Sequence, residues 1–304
     1  MDVADQVVGS VLGLALGDAL GAPFEGRRAS EVPDPIPALE RPWMDLPPGS
    51  TTDDTAMARN LVRSLTARDE FDPDDLVARH LEWFRSKPRD VGNPTRRVLT
   101  RVDRGEDASS AARAVWEERG PEVSAGNGSV MYCTPLGLAY ANRPGELLEV
   151  APRLSALTHY DERCRTAVLA VTLVAAALVR GEVPEAAVGS SLLAVENREG
   201  GEELEYLVEA AGGARRIDGP DQGFCLFASG VALQSLLRSG EYETEVRRAV
   251  SLGGDTDTNA AVAGALMGAL VGEGGLPGEW LARLRDIETI QAEAKGMVRL
   301  TEQK

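Results

Sequence analysis

The sequence predicts an all-α fold, and three observations support that prediction. Residues that favour strands are scarce, since the 304 residues include only four Ile and 14 aromatic side chains. Ala, Leu and Glu, which favour helices, are abundant. Apolar residues recur at helical spacing along most of the chain. We therefore expect one compact domain that spans residues 1–304 and contains about 12–14 helices.

The helical segments follow one another along the chain, separated by turn-forming residues. The first covers Val3–Leu20, and a proline-rich connector that ends at Gly49-Ser50 follows it. Helical periodicity then returns in the segments Thr55–Arg68, Asp74–Arg85, Pro94–Arg104, Ala108–Glu118, Thr134–Ala141, Pro144–Ser155, Asp161–Arg180, Pro184–Glu196, Glu202–Ala211, Gly223–Ser239, Tyr242–Leu252, Asn259–Val271 and Gly278–Leu300. No linker of low complexity and no solenoid repeat interrupts this order.

Two of these helices carry small residues at every fourth position. They are Gly9, Gly13, Gly17 and Gly21 in the first helix, and Ala260, Gly264 and Gly268 near the end of the chain. Each glycine inside a helix costs about 1 kcal/mol relative to alanine, so the pattern requires a compensating gain. Residues four apart share one face, where another backbone can approach closely. We predict that these faces pack against core helices or against each other, which would carry Asp18 and Glu25 toward residues 255–257.

The composition limits the classes of function. Acidic side chains outnumber basic ones by 48 to 32, so the net charge is −16 and stable nucleic-acid binding is not expected. Cys133, Cys164 and Cys225 are widely spaced, which is typical of reduced thiols. The N-terminus lacks the basic region of a signal peptide. Uncharged apolar runs such as 166–179 and 259–272 are shorter than the roughly 20 residues of a membrane span. We expect a cytoplasmic monomer.

Two acidic, hydroxyl-rich tetrapeptides precede predicted helices and lie about 200 residues apart. They are Thr52-Asp53-Asp54-Thr55 and Asp255-Thr256-Asp257-Thr258. Either one alone is consistent with an N-cap followed by acidic residues that the helix dipole stabilises. Together they provide four carboxylates and several hydroxyls, which are the ligands that hard divalent cations prefer. If the fold brings the tetrapeptides together, the sequence predicts a metal-dependent enzyme.

Five ordered motifs resemble those of one family, the ADP-ribosylglycohydrolases. They are Gly13-Leu14-Ala15-Leu16-Gly17-Asp18-Ala19-Leu20-Gly21-Ala22-Pro23-Phe24-Glu25, the first acidic tetrapeptide, Gly126-Asn127-Gly128-Ser129-Val130-Met131, Leu157-Thr158-His159, and Gly253-Gly254 with the second tetrapeptide and Asn259-Ala260-Ala261. The family includes the dinitrogenase-reductase-activating glycohydrolase and the ADP-ribosyl-arginine and ADP-ribosyl-serine hydrolases. The resemblance covers most of the chain. It implies an all-α domain with a binuclear centre of two Mg²⁺ or Mn²⁺ ions.

The resemblance also implies roles for individual residues. The metal ligands would be Thr52, Asp53, Asp54, Asp255, Asp257 and Thr258. Catalysis would involve Glu25 in acid–base chemistry, together with Asp54 and Asp255. The substrate would be bound by Gly126, Asn127, Gly128, Ser129, Met131 and His159. By themselves, the 126–129 loop is also consistent with a plain turn and His159 with a structural hydrogen-bonding residue. One departure is Tyr132, because many relatives have Arg at this position.

The activity implied by the resemblance is metal-dependent hydrolysis of the glycosidic bond between ADP-ribose and a modified protein side chain or small conjugate, which releases ADP-ribose. Two alternatives remain at this stage. The chain could be a non-catalytic relative that binds ADP-ribose or another nucleotide. It could also hydrolyse a different ribosyl bond, such as that of an ADP-ribosylated nucleobase, since two-metal sites serve many displacement reactions.

Overall fold

The computed structural model describes residues 2–198, 201–215, 223–238 and 240–303. Across these residues the chain contains fifteen α-helices, a few short 3₁₀ helices and no β-strand, which confirms the predicted all-α fold. The helices are α1 (Val3–Gly21), α2 (Asp53–Arg68), α3 (Pro73–Arg85), α4 (Asn93–Val102), α5 (Ala108–Arg119), α6 (Thr134–Ala139), α7 (Pro144–Ala156), α8 (Glu162–Val179), α9 (Pro184–Arg198), α10 (Glu202–Ala211), α11 (Cys225–Leu237), α12 (Tyr242–Ser251), α13 (Thr256–Val271), α14 (Gly278–Arg283) and α15 (Ile287–Met297).

Helices α1 and α13 form the centre of the core and run antiparallel, with their small-residue faces in direct contact. A Cβ atom on Gly13 would lie 2.3 Å from the carbonyl oxygen of Gly264, and one on Gly17 would lie 2.0 Å from that of Ala260. Both distances are too short for any side chain, so the two backbones touch. This close packing therefore offsets the low helix propensity of the glycines. Of the two predicted arrangements, the structure shows the one in which the two small-residue faces pack against each other. Tyr242 of α12 reaches the same contact and donates a hydrogen bond to the carbonyl of Gly13 at 2.7 Å.

The first helix is unusually apolar. Among the described residues, the segment Val3–Phe24 is long and apolar enough to cross a membrane by length and composition, and 94% of its most apolar window is buried inside the protein. Its surroundings are other helices of the same chain. Gln6, for example, donates hydrogen bonds to the carbonyls of Leu178 in α8 and Ala269 in α13. The composition of α1 thus agrees with its position in the core.

Two predicted helices differ from the observed ones in a way that matters. The predicted helix Gly278–Leu300 is wrong as a single element, because the chain breaks between α14 and α15. The amide of Arg285 donates to the carbonyl of Gly49 in the proline-rich connector, and Asp286 has a left-handed backbone with φ of 56°. Tertiary packing therefore interrupts a helical pattern. Helix α13 begins at Thr256 and not at Asn259, which places Asp257 and Thr258 in its first turn.

The remaining predicted helices agree with the structure to within about three residues at each end, as is usual for frayed helix ends. The predicted end of the Gly223–Ser239 helix at Ser239 lies outside the described residues, and α11 begins at Cys225.

Candidate active site

The first acidic tetrapeptide forms the start of α2. Thr52 is the N-cap residue, and its hydroxyl accepts a hydrogen bond from the amide of Asp54 at 3.3 Å. Asp53 and Asp54 occupy the first helical turn, where the partial positive charge of the helix terminus favours carboxylates. Asp53 is also held from outside the helix, because it accepts a hydrogen bond from the amide of Gly92 at 3.1 Å. Thr52 is thus an N-cap, as the sequence allowed, and Asp54 still has a carboxylate oxygen, Oδ1, without a hydrogen-bond partner among the described residues.

The second acidic tetrapeptide is positioned by the glycine pair that precedes it. Gly253 and Gly254 both have positive φ values, 73° and 82°. The amide of Gly254 donates to the carbonyl of Arg27, and the amide of Gly26 donates to the carbonyl of Gly254. A Cβ atom on Gly253 would lie 2.5 Å from the nitrogen of Ala29, so only glycine fits there. These contacts connect the backbone beside Glu25 directly to the backbone beside the tetrapeptide.

Both tetrapeptides open onto one cavity of about 760 Å³. Its lining includes a group of neighbouring carboxylates, here called the floor, which consists of Glu25, Asp53, Asp54, Asp90, Asp255 and Asp257. Loop residues, aromatic rings and arginines also line the cavity. The residues that line it are Glu25, Asp53, Asp54, Asp90, Gly92, Pro94, Thr95, Arg119, Glu122, Val123, Ala125, Gly126, Asn127, Gly128, Met131, His159, Arg163, Tyr206, Arg215, Gly223, Phe224, Asp255, Asp257 and Thr258. Residues from both ends of the chain and from its middle therefore form a single binding site.

The floor brings several buried carboxylates close to one another. Burial raises the pKa of Asp53 to about 8, with a further contribution from the charge of Asp90. The pKa values of Asp54 and Asp257 lie well above the ordinary range, first because both are buried and then because other carboxylates repel their charges. One carboxylate oxygen each of Glu25, Asp90 and Asp257 lies within 4.8 Å of the other two. Such an arrangement is unfavourable unless protons or cations neutralise it.

Glu25 lies at the edge of this cluster. Its pKa is raised to about 7, first by desolvation and then by the charges of Asp90 and Asp255. The residue is exposed to solvent and lines the cavity. A carboxyl group that titrates near neutral pH and remains in contact with water is suited to exchange protons.

Asp90 belongs to the cluster and was not found by the sequence reasoning. It lies between α3 and α4, and burial and the charge of Asp255 raise its pKa while a hydrogen bond with Asp53 lowers it. The amide of Gly92, two residues further on, holds Asp53. The only local signal is an acidic residue just before a Gly-Asn-Pro turn, which is too common to identify a site.

The 126–129 loop forms one wall and contacts the acidic floor directly. The Asn127 side chain donates a hydrogen bond to Asp255 at 2.9 Å. Its backbone amide donates to the carbonyl of Gly223, and Gly126 forms a bridge with Phe224. Gly128 must be glycine, because a Cβ atom there would lie 2.7 Å from the imidazole of His159. The loop is therefore a fixed part of the site, and a plain surface turn is excluded.

His159 stands behind this loop and lines the cavity. Burial lowers its pKa to about 4, with an additional effect of the charge of Arg119, so the imidazole is neutral near pH 7. Its Nδ1 atom is 3.0 Å from the hydroxyl of Thr158. His159 therefore agrees with both interpretations made from the sequence. It packs against the 126–129 loop as a structural residue, and it also lines the cavity.

Four other residues named from the sequence differ in where the structure places them, and only Met131 lines the cavity. Ser129 is fully buried, and its hydroxyl lies 2.9 Å from that of Ser155, so the side chain does not line the cavity. The Thr52 hydroxyl donates to Asp54 at 3.2 Å and lies just behind the lining. Met131 lines the cavity, as expected. Tyr132 is fully buried and forms a T-shaped contact with His80, with the ring centroids 5.3 Å apart.

Three arginines from elsewhere in the chain also line the cavity. Arg163 is oriented by Asp161, which accepts from its Nε at 2.8 Å and from its Nη2 at 2.9 Å. Arg119 donates to the carbonyl of Val123, and its Nε atom is buried without a hydrogen-bond partner in the described part of the chain. Arg215 lies 4.3 Å above the ring of Tyr206. None of the three was predicted from the sequence, because an arginine by itself carries no local sequence signal of a binding site.

The donor set of the floor fits divalent cations of the Mg²⁺ or Mn²⁺ type. All candidate ligands are oxygens, and one of them, Asp54 Oδ1, is buried with no hydrogen-bond partner among the described residues. Its second oxygen, Oδ2, accepts from Thr52 and also from Thr258 at 3.4 Å, which links the two tetrapeptides. An unpaired buried carboxylate oxygen is costly, and a hard cation would satisfy it.

The fold and the cavity define a class of protein. It is an all-α protein, across the described residues, with a cavity that is lined by carboxylates from distant parts of the chain and also by arginines. The sequence pattern of the ADP-ribosylglycohydrolase family matches residues 1–304, and the chain belongs to that family.

Similar proteins agree with this assignment. The chain is 29% identical over 286 residues to the ADP-ribosyl-[dinitrogen reductase] glycohydrolase of Rhodospirillum rubrum, which covers 93% of this chain and 91% of that protein. It is 28% identical to the ADP-ribosylhydrolase ARH3 of Gallus gallus, with 90% and 87% covered. A solved structure of an ADP-ribosylglycohydrolase-related protein complex is similar with a TM-score of 0.82 and 35% identity, and 99% of each chain is covered.

The raised pKa values predict how stability depends on pH when no divalent cation is bound. The pKa values of Asp18, Glu25 and Asp53 are about 6, about 7 and about 8, and all exceed the unfolded values near 4. The folded protein therefore holds these protons more tightly, and the resulting stabilisation is lost as pH rises through the folded pKa values. In a chelator, the melting temperature is expected to fall between about pH 5 and about pH 8.5.

Calorimetry with and without Mg²⁺ checks this prediction. Added Mg²⁺ should raise the melting temperature most at the alkaline end, where the carboxylates are charged and available. A melting temperature that is constant over this range in chelator, or a Mg²⁺ effect that is independent of pH, would contradict the assignment of the raised pKa values to this cluster.

Proposed function

We propose that this chain hydrolyses the glycosidic bond between ADP-ribose and a modified protein side chain or a related small conjugate, and releases ADP-ribose. The observation that carries the proposal is the meeting of two distant acidic tetrapeptides on one cavity floor. Membership of the family supports the reaction type, since its named relatives are ADP-ribosyl hydrolases.

The size and charge of the cavity suit an ADP-ribosyl group. A volume of about 760 Å³ lies within the range of pockets that enclose ligands of this size. The ligand has a diphosphate, and the lining residues Arg119, Arg163 and Arg215 provide positively charged donors for it. The unpartnered Nε of Arg119 is a donor that an anionic oxygen would satisfy. The perpendicular rings of Tyr206 and Phe224, 5.7 Å apart, provide an apolar surface for the adenine.

Under this proposal the floor binds two Mg²⁺ or Mn²⁺ ions. Their ligands would be Thr52, Asp53, Asp54, Asp255, Asp257 and Thr258, whose four carboxylates match the charge of two divalent cations. When bound, such ions supply Lewis-acid polarisation of the ribose oxygens and of an attacking water.

The protein's own groups have separate tasks. The Glu25 carboxylate is placed to accept a proton from the attacking water, and its pKa of about 7 allows it to return that proton to the leaving group. Asn127 donates to Asp255 and so fixes one of its oxygens relative to the loop. The fixed carboxylates also stabilise the positive charge that develops on the ribose as the glycosidic bond breaks. Water adds to the anomeric carbon, and the side chain leaves with one proton.

The experiment is a product assay on protein stripped of metal and then supplied with Mn²⁺ or Mg²⁺. Arginine-, serine- and nucleobase-linked ADP-ribose are incubated separately, and released ADP-ribose is measured. We expect release from at least one protein-type linkage with either cation and none in chelator. The double variant Asp255→Ala, Asp257→Ala should reduce that release to background, because it removes two of the four carboxylates proposed to bind the cations.

Other outcomes favour the alternatives. Calorimetric binding of ADP-ribose without release from any conjugate would show a binding protein and not an enzyme. Release from the nucleobase conjugate alone would assign a different ribosyl bond. Unchanged release by the double variant, or full release in chelator, would reject the proposed role of the acidic floor.

A further inference from the structure

Asp18 is a buried carboxylate of α1 that the proposed mechanism does not use. It is completely inaccessible to solvent. Both of its oxygens accept from the backbone amide of Thr52 at 3.0 Å. Oδ2 also accepts from the amide of Thr55 at 3.1 Å and from the Thr55 hydroxyl. All the hydrogen bonds that the Asp18 carboxylate accepts within the described residues thus come from the first and last residues of the first tetrapeptide.

These hydrogen bonds fix the two residues that lie between them. Thr52 and Thr55 flank Asp53 and Asp54, so holding both flanking amides restricts the backbone of the acidic pair. Asp18 is in effect a capping group for α2 that is contributed by another helix, because it satisfies amides that the first turn of a helix leaves free. The directions in which the two carboxylates point therefore depend on the position of α1.

The same end of α1 also holds the second tetrapeptide. The Thr256 hydroxyl donates to the carbonyl of Gly21 at 2.8 Å. A Cβ atom on Gly21 would lie 2.3 Å from the carbonyl oxygen of Thr256 and 2.5 Å from the Cα of Asp257. Asp18 and Gly21 are three residues apart in the last turn of one helix, so a single rigid element contacts both acidic segments.

We propose that Asp18 is a positioning residue that sets the spacing between the Asp53–Asp54 pair and the Asp255–Asp257 pair, so that α1 prepares the cation site before any ion binds. The proposal rests on the proposed function, because it requires these pairs to bind cations. It adds a residue that never touches the ions or the substrate. Removing the hydrogen bonds of such a supporting residue typically weakens metal binding by about 10- to 100-fold.

The test measures Mn²⁺ affinity by calorimetry, together with the melting temperature in chelator. Asp18→Asn keeps the shape of the side chain but turns an NH₂ group toward amides that also donate. We expect Mn²⁺ binding at least about 10-fold weaker than in the wild-type protein. The matched control is Gln6→Met, in the same helix and also buried, where the lost hydrogen bonds run to Leu178 and Ala269, away from the site. It should lower the melting temperature and leave the affinity within about twofold.

A milder pair of variants decides the matter if Asp18→Asn does not fold. Thr55→Val removes the hydroxyl that donates to Asp18 and is expected to weaken Mn²⁺ binding by about threefold, whereas Thr55→Ser keeps the hydroxyl and the wild-type affinity. Wild-type affinity in a folded Asp18→Asn variant, or in Thr55→Val where Asp18→Asn does not fold, would overturn the proposal, as would an equal loss of affinity in Gln6→Met. A wild-type protein that binds no Mn²⁺ would instead reject the proposed function, so the two failures are distinguishable.

Discussion

Replacing Asp54 by Asn is expected to reduce Mn²⁺-dependent release of ADP-ribose by about 10³-fold, equivalent to about 4 kcal/mol of lost transition-state stabilisation. Asp54 is the most central of the carboxylates, since one oxygen contacts Thr52 and Thr258 from the two tetrapeptides and the other has no partner within the described residues. The amide keeps the shape but removes the charge and one acceptor. Steady-state release assays at saturating Mn²⁺ measure the effect.

The same variant is expected to be more stable than the wild-type protein when both are free of metal. Burial and the charges of Asp18 and Asp53 raise the pKa of Asp54 well above its usual range, so its ionised form opposes folding near neutral pH. Thermal unfolding in chelator should therefore show an increased melting temperature, while the stabilisation by Mn²⁺ is lost. A loss of activity that merely follows unfolding would be accompanied by a lower melting temperature and would contradict this explanation.

Asp74→Asn provides the control. This carboxylate is exposed in the first turn of α3, far from the cavity lining. It should change neither the release of ADP-ribose nor the response of the melting temperature to Mn²⁺. If Asp54→Asn retained more than about a tenth of the wild-type rate, the central role of this carboxylate would be rejected.

Gly17→Ala is expected to destabilise the protein by about 3 kcal/mol or more, although alanine is the better helix former. The new methyl group would lie 2.0 Å from the carbonyl oxygen of Ala260 and 2.4 Å from its carbonyl carbon. Both are backbone atoms of α13, so no side chain can move away to make room. Helices α1 and α13 would have to separate, and the packing at the centre of the core would be lost. Urea unfolding of purified protein measures the change.

Gly189→Ala is the matched control for this substitution. Gly189 is an exposed glycine inside α9, and a Cβ atom there would have no neighbour within 4 Å. This variant should be more stable than the wild-type protein by about 0.5–1 kcal/mol, because alanine has the higher helix propensity. The two substitutions are chemically identical, so opposite signs isolate the close backbone contact. A neutral or stabilising effect of Gly17→Ala would show that the two helices do not meet as described.

Much of the fold and part of the candidate site could be predicted from the sequence. The glycines at every fourth position indicated two faces able to approach another backbone, and the structure joins those faces to each other. The tetrapeptides were recognisable because carboxylates and hydroxyls are unusually dense there. The break before α15 could not be predicted, because the residues from Gly278 onward have helical periodicity and the Gly49 carbonyl that takes the Arg285 amide lies far away in sequence.

The cavity lining shows the same limit. Asp90 is one acidic residue in a chain that contains 48, and only its tertiary contacts with Glu25, Asp53 and Asp257 distinguish it. Arg119, Arg163 and Arg215 come from three separate regions of the chain and line the same cavity. Tyr132 is a contrasting case. The sequence placed it beside the ligand loop, whereas the structure buries its ring against His80.

The sequence by itself determined the helical class, the chemistry of the oxygen ligands and the small faces of α1 and α13, because each of these depends on residues that are close together along the chain. Only the tertiary structure decided which carboxylates lie close together in the cavity, which arginines line the same cavity and where the chain breaks between α14 and α15. These features depend on contacts between distant segments. The distance between the two tetrapeptides in particular follows from the backbone contact of α1 with α13, which neither segment encodes alone.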